Sequence, residues 1–110
     1  MSIWNGTFLE DLCPKVKARR WRQTLHELTA ESCIYCGKPS KSIDHIHPRS
    51  KGGATTINNC APACLNCNGK KSNEDPFDWY SRQDFYEPRR AMAIRAWLDG
   101  DLHVAVALLN

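Results

Sequence analysis

The residues most able to do chemistry in this chain are gathered in its middle third. Two cysteine pairs, Cys33-Ile-Tyr-Cys36 and Cys64-Leu-Asn-Cys67, have the two-residue spacing that lets neighbouring thiolates wrap one ion. Together they supply the four sulfurs of a closed, tetrahedral, structural zinc site. Between the pairs lies Asp44-His45-Ile46-His47-Pro48, and directly after the second pair comes Asn68-Gly69-Lys70-Lys71. A carboxylate and an amide oxygen are hard donors that suit Mg2+ or Mn2+ better than zinc. An imidazole beside an open divalent site can deprotonate water near neutral pH, while the ion polarises a phosphate. The chemistry these residue types point to is metal-assisted hydrolysis of a phosphodiester.

A chain of 110 residues is one domain by length and buries only a modest core, so a structural metal is a physically useful supplement. Six cysteines without a visible export signal favour a reducing, cytoplasmic setting and a metal site over a disulfide framework. The two outside the pairs, Cys13 and Cys60, read as small buried hydrophobes. No stretch approaches the roughly eighteen uninterrupted apolar residues of a membrane span.

The net charge of +3 hides a polarity along the chain. Residues 33–71 carry six basic side chains against the single acid Asp44, whereas residues 72–110 carry four basic and seven acidic. A second basic run, Lys15-Val-Lys17-Ala-Arg19-Arg20-Trp21-Arg22, precedes the first cysteine pair. A polyanion is the natural partner for that half of the molecule. Arg49, Lys51, Lys70 and Lys71 flank the central segment, with Arg19, Arg20 and Arg22 extending the surface, and DNA is the partner they suit as a group.

The elements that must position these residues follow from patterning. The apolar positions Val16, Trp21, Leu25 and Leu28 predict a helix from about Lys15 to Thr29. Cys36-Gly37 reads as a metal knuckle, and Ser42 to Ile46 as a short strand ended by Pro48. The β-branched Thr55-Thr56-Ile57 is read as the returning strand, with Pro62 separating it from Cys64, and Leu65 to Lys71 as a helix. Asp75-Pro76 and Pro88 each predict a helix start, Gly100 a stop, and the tail from Asp101 a short helix. Trp79, Tyr80, Phe85 and Tyr86 are read as core or helix-docking aromatics rather than base-stacking platforms.

Taken together, Cys33-Ile-Tyr-Cys36-Gly37, Asp44-His45-Ile-His47-Pro48-Arg-Ser-Lys-Gly52-Gly53, Asn59-Cys-Ala-Pro62-Ala-Cys64 and Cys67-Asn68-Gly-Lys-Lys71 resemble the HNH endonuclease family. The likeness is to its zinc-stapled subgroup of phage, restriction and homing nucleases, and it spans residues 33–73. The resemblance implies an α+β fold with a ββα-metal core, a hairpin packed on a helix, carrying flanking α-helices. It implies Asp44 and Asn68 as ligands of the catalytic ion, His45 as general base, and Asn59 as the residue that braces the connecting loop and orients the histidine. Many members have histidine where this chain has Asn68, which shifts the preference toward oxygen-loving ions. His47 has three open roles: contact with substrate phosphate, protonation of the leaving group, or packing.

The expected organisation is a single domain over 1–110, with a basic helical lead (1–32), the zinc-stapled core (33–73) and a helical extension (74–110). The expected activity is metal-dependent endonucleolytic cleavage of DNA, one nick per active site, leaving 5′-phosphate and 3′-hydroxyl ends as the family implies. The alternative is a non-catalytic zinc-stapled DNA-binding protein, or an accessory protein of a larger nuclease or packaging complex. A homodimer or a larger nucleic-acid-processing partner is compatible with either.

Overall fold

The structure, a computed structural model, describes residues 14–110, so Cys13 and the rest of the N-terminal lead lie outside the described residues. In chain order the elements are α1 (Pro14–Leu28), β1 (Ser42–His45), a 3-10 turn (Arg49–Lys51), β2 (Cys60–Ala63), α2 (Leu65–Lys71), α3 (Pro76–Ser81), α4 (Pro88–Leu98) and α5 (Leu102–Leu109). A two-stranded antiparallel sheet, helices and a four-cysteine cluster make this a small α+β fold, as the sequence predicts.

Helix α1 buries Leu25 and lays Trp21 and Leu28 against the core, which leaves Lys15, Lys17, Arg19, Arg20 and Arg22 exposed. It stops in two turn-closing bonds, Glu31 N to the His26 carbonyl (2.7 Å) and Ala30 N to the Glu27 carbonyl (3.1 Å). This is the Schellman arrangement, with Ala30 in the left-handed region at φ 52°. The chain then enters the first knuckle, where Gly37 N reaches the Cys33 carbonyl at 2.9 Å. Gly37 sits at φ 81°, a conformation open to glycine at little steric expense.

The hairpin pairs Ser42 with Ala63, Ile43 with Pro62, Asp44 with Ala61 and His45 with Cys60. The returning strand is therefore Cys60–Ala63, and Thr55-Thr56-Ile57, the residues of higher β propensity, lie in the loop before it. Burial explains the reversal. All four residues of β2 are buried beneath α1 and the knuckle, where small side chains are required, whereas Thr55, Thr56 and Ile57 are exposed. Pro62 belongs to the strand because its carbonyl faces away from β1 and accepts from Ile34 N at 2.9 Å, so no ladder donor is lost there.

The C-terminal helices brace this unit. Asp75 caps α3 by accepting from Phe77 N and Asp78 N, both at 3.0 Å, and Pro76 and Pro88 open their helices. Trp97 of α4 is fully buried and donates Nε1–H to the carbonyls of Ile57 (2.9 Å) and Cys60 (3.1 Å). Asn58 Nδ2 donates to the Leu98 carbonyl (3.1 Å), and Arg90 donates to that of Cys33 (3.3 Å). Helix α4 thus holds both the entry to β2 and the first knuckle. Trp79 and Tyr80 are buried as expected and cluster with Tyr35, the Tyr35 and Trp79 rings edge to face at 5.2 Å. Phe85 is half-buried against them, and Tyr86 packs on Tyr80 but is exposed.

Candidate active site

The four thiols of Cys33, Cys36, Cys64 and Cys67 converge, their sulfurs all within 4.8 Å of one another. A tetrahedral ion with Zn–S bonds near 2.3 Å needs sulfurs about 3.8 Å apart. Cys36 and Cys64 stand at 3.7 Å. Cys64 is also the N-cap of α2, its sulfur accepting from Cys67 N at 3.3 Å, so the second knuckle and the helix start are one structure. The Cys67 thiol, followed by backbone amides of Cys36, Cys64 and Tyr35, pulls the Cys33 thiol down to about 5 against the opposing effect of burial. Sharing that proton pushes Cys67 the other way. Thiolate formation inside the cluster is thereby favoured at Cys33 and disfavoured at Cys67 and Cys36, an imbalance that a bound cation removes. The cluster fits structural zinc.

Strand β1 sends successive side chains to opposite faces. Asp44 points inward and is 4 % exposed, with Oδ2 accepting from the Tyr35 hydroxyl at 2.5 Å. Lys71, 0 % exposed, places Nζ 3.2 Å from Asp44 Oδ2 and 3.0 Å from the His45 carbonyl. Burial raises the Asp44 carboxyl above its ordinary range, and Tyr35 and Lys71 oppose that rise. Burial, followed by the Asp44 charge, drives the Tyr35 phenol well above its ordinary value. Asn68, one turn before Lys71 on α2, donates Nδ2–H to Ser42 Oγ (3.0 Å) and the Ile43 carbonyl (3.4 Å). Its Oδ1 has no hydrogen-bond partner among the described residues.

His45, half-buried, faces the other way, with Nε2 2.9 Å from Thr55 Oγ1. Burial, then the nearby Arg49 charge, holds its imidazole below the usual value, so the neutral ring is favoured. Buried Asn59 accepts from His47 N (2.8 Å) and donates to the carbonyls of His47 (3.0 Å) and Ala54 (2.9 Å), spanning the loop between the strands. Gly53 belongs to the same closure, since a Cβ there would lie 1.8 Å from the His47 carbonyl oxygen. His47 itself is exposed and lines a groove of about 600 Å³ with Lys51, Asn58, Asp75, Arg95 and Asp99.

The basic residues divide. Arg49 and Lys51 on the 3-10 turn and Lys70 on α2 are exposed. Arg19 and Arg22 line a depression with Lys41 and Ser42, while Arg20 and Trp21 line another with Thr55 and Thr56, the loop that reaches His45. Lys71, expected among the phosphate-contacting residues, instead turns its charge inward onto Asp44, where β1 offers a carboxylate and a carbonyl. Tyr35 and Thr55 were not legible as site residues. Tyr35 stands inside the first cysteine pair with nothing local to mark its reach to Asp44, and Thr55 carried only a strand signal.

The structure thus defines a two-stranded hairpin closed on a helix by a four-cysteine cluster, with Asn68 and Lys71 of α2 against the Asp44 face of β1 and His45 on the opposite face beside Thr55. Residues 33–74 match the family model described as HNH endonuclease. No curated protein and no solved structure matches the chain. The match suggests a nuclease-type function. Among the described residues no helix is long and apolar enough to cross a membrane.

Proposed function

We propose that the protein is a metal-dependent DNA endonuclease in which His45 takes a proton from the attacking water. Asp44 and Oδ1 of Asn68 are the hard donors that would hold Mg2+ or Mn2+. Support comes from the packing of α2 on β1, where Asn68 bonds to Ser42 and Ile43 and Lys71 to Asp44. When bound, such an ion supplies charge stabilisation to the phosphate and its departing 3′ oxygen. Each remaining role belongs to the chain. His45 accepts the proton at a ring nitrogen, Thr55 orients the ring, and Asn59 fixes the backbone two residues on. Water attacks phosphorus, the P–O3′ bond breaks, and the strand is left with 5′-phosphate and 3′-hydroxyl ends.

The observation that carries this reading is the pairing of a half-exposed His45 with a rigid frame: Asn59 bonds to both backbone groups of His47, and Thr55 to the ring. General bases require that combination of access and fixed direction. Arg49, Lys51, Lys70 and the α1 residues Arg19, Arg20 and Arg22 are proposed to neutralise flanking phosphates, with His47 at the edge of the neighbouring groove. On this reading residues 1–32 are a basic DNA-contacting lead, 33–73 the nuclease core and 74–110 its helical brace. One active site per chain makes nicking the elementary event, with dimers or a larger nucleic-acid-processing partner needed for paired cuts. Four reduced thiols suit a cytoplasmic, reducing compartment.

A second reading, a non-catalytic zinc-stapled DNA-binding or accessory protein, draws support from the Tyr35 and Lys71 contacts that already occupy Asp44. Incubating zinc-loaded protein with supercoiled plasmid, with Mg2+ or Mn2+ and with chelator, separates the two. Nicked circles that vanish with chelator support the endonuclease. Salt-sensitive binding without nicking supports the accessory protein.

A further inference from the structure

Lys71 carries the one basic side chain of the central segment that is fully buried, and its surroundings are specific. Its Nζ stands 3.4 and 3.2 Å from the two carboxylate oxygens of Asp44 and 3.0 Å from the His45 carbonyl. The second group at the carboxylate is the Tyr35 hydroxyl, at 2.5 Å from Oδ2. A buried ammonium is tolerated only where it is paired and hydrogen-bonded, and these contacts meet that need. The same carboxylate, on the reading given above, is a ligand of a divalent ion, and two cations on one buried carboxylate repel strongly. Lys71 and Asn68 lie one turn apart on α2, so the ammonium arrives from the same helix that carries the second donor.

We propose that Lys71 is the resident cation of this site: it holds Asp44 in place in the metal-free protein and leaves the carboxylate when a divalent ion takes its position. Lys71 therefore sets the ion concentration at which the site fills, and its flexible stem lets the ammonium swing out where Arg at the same position would hold a rigid fork. The inference rests on the proposed role of Asp44 as a ligand, and it goes beyond that role by naming what the ion must displace.

The test measures binding rather than activity. Zinc-loaded parent, Lys71→Met and Asp44→Asn proteins are titrated with Mn2+, and the free ion is followed by electron paramagnetic resonance. The expected result is an Asp44-dependent Mn2+ site that is at least about tenfold tighter in Lys71→Met, because a competing charge is gone. Equal or weaker binding in Lys71→Met overturns the inference and leaves the Asp44 site standing. Absence of any Asp44-dependent site in either protein overturns the metal-site reading and the inference with it. Should Lys71→Met not fold, acylation of native parent protein by a small activated ester that reacts with amines gives the answer by mass spectrometry. Lys71 is expected to be protected without Mn2+ and labelled severalfold faster with saturating Mn2+, and unchanged protection overturns the proposal.

Discussion

Asn59 holds His47 by both of its backbone groups, accepting its N–H at 2.8 Å and donating to its carbonyl at 3.0 Å, while a further bond reaches the Ala54 carbonyl at 2.9 Å. One buried carboxamide thus ties both ends of the loop that joins β1 to β2, and through it the position of His45.

Replacing Asn59 by Ala leaves three backbone groups without their partner, and unsatisfied buried groups cost about 1–3 kcal/mol each when water cannot reach them. Part of this loop is exposed, so the expected loss is about 2–4 kcal/mol in urea unfolding. Asn59→Asp keeps the acceptor for His47 N but sets a buried carboxylate against the His47 and Ala54 carbonyls, and is expected to lose at least as much as Asn59→Ala.

The four-thiolate cluster is expected to hold one zinc ion whose removal unfolds the hairpin and α2 together, since Cys64 is at once ligand and helix cap. Cys64→Ser should abolish stoichiometric zinc and most of the cooperative unfolding transition. Cys60→Ala, a buried cysteine outside the cluster, should retain zinc and lose only about 1 kcal/mol from reduced packing. Zinc content by mass spectrometry and circular dichroism check both. Zinc lost from Cys60→Ala with the fold intact would contradict this ligand set.

His26 gives the fold a pH dependence with a definite sign. Its Nδ1 lies 2.6 Å from Ser40 Oγ, and burial, opposed by Glu31, lowers its pKa below the ordinary value of 6.5. The folded state therefore binds this proton less readily than the unfolded chain, and the contribution is full above that value and lost as pH falls toward the folded pKa. His45 shifts in the same direction. Asp44, raised, acts with the opposite sign at lower pH. Urea midpoints of zinc-saturated protein should fall between about pH 7.5 and 5.5, and His26→Gln should flatten part of that slope. An unchanged slope in His26→Gln would remove His26 as a source.

Much of this architecture can be read from local chemistry. The spacing of the cysteines, the Asp75-Pro76 and Pro88 helix starts and the stripe of α1 all act over a few residues, where physical rules are direct. β propensity points to Thr55-Thr56-Ile57 as the returning strand, whereas pairing is decided by burial, which selects the small Cys60-Ala61-Pro62-Ala63. The inward turn of Lys71 was equally hidden. Its partners Asp44 and Tyr35 are distant in sequence, and a lysine beside the exposed Lys70 gives no local sign of entering the core.

The central claim is that His45 activates water, and single-turnover nicking of supercoiled plasmid in saturating Mg2+ or Mn2+ tests it most directly. The comparison sets parent protein against His45→Ala, both zinc-loaded and both shown to be folded. Loss of a general base should slow nicking by about 10²- to 10⁴-fold with DNA affinity unchanged. Rates within a few-fold of each other, or no metal-dependent nicking by the parent, would contradict the account.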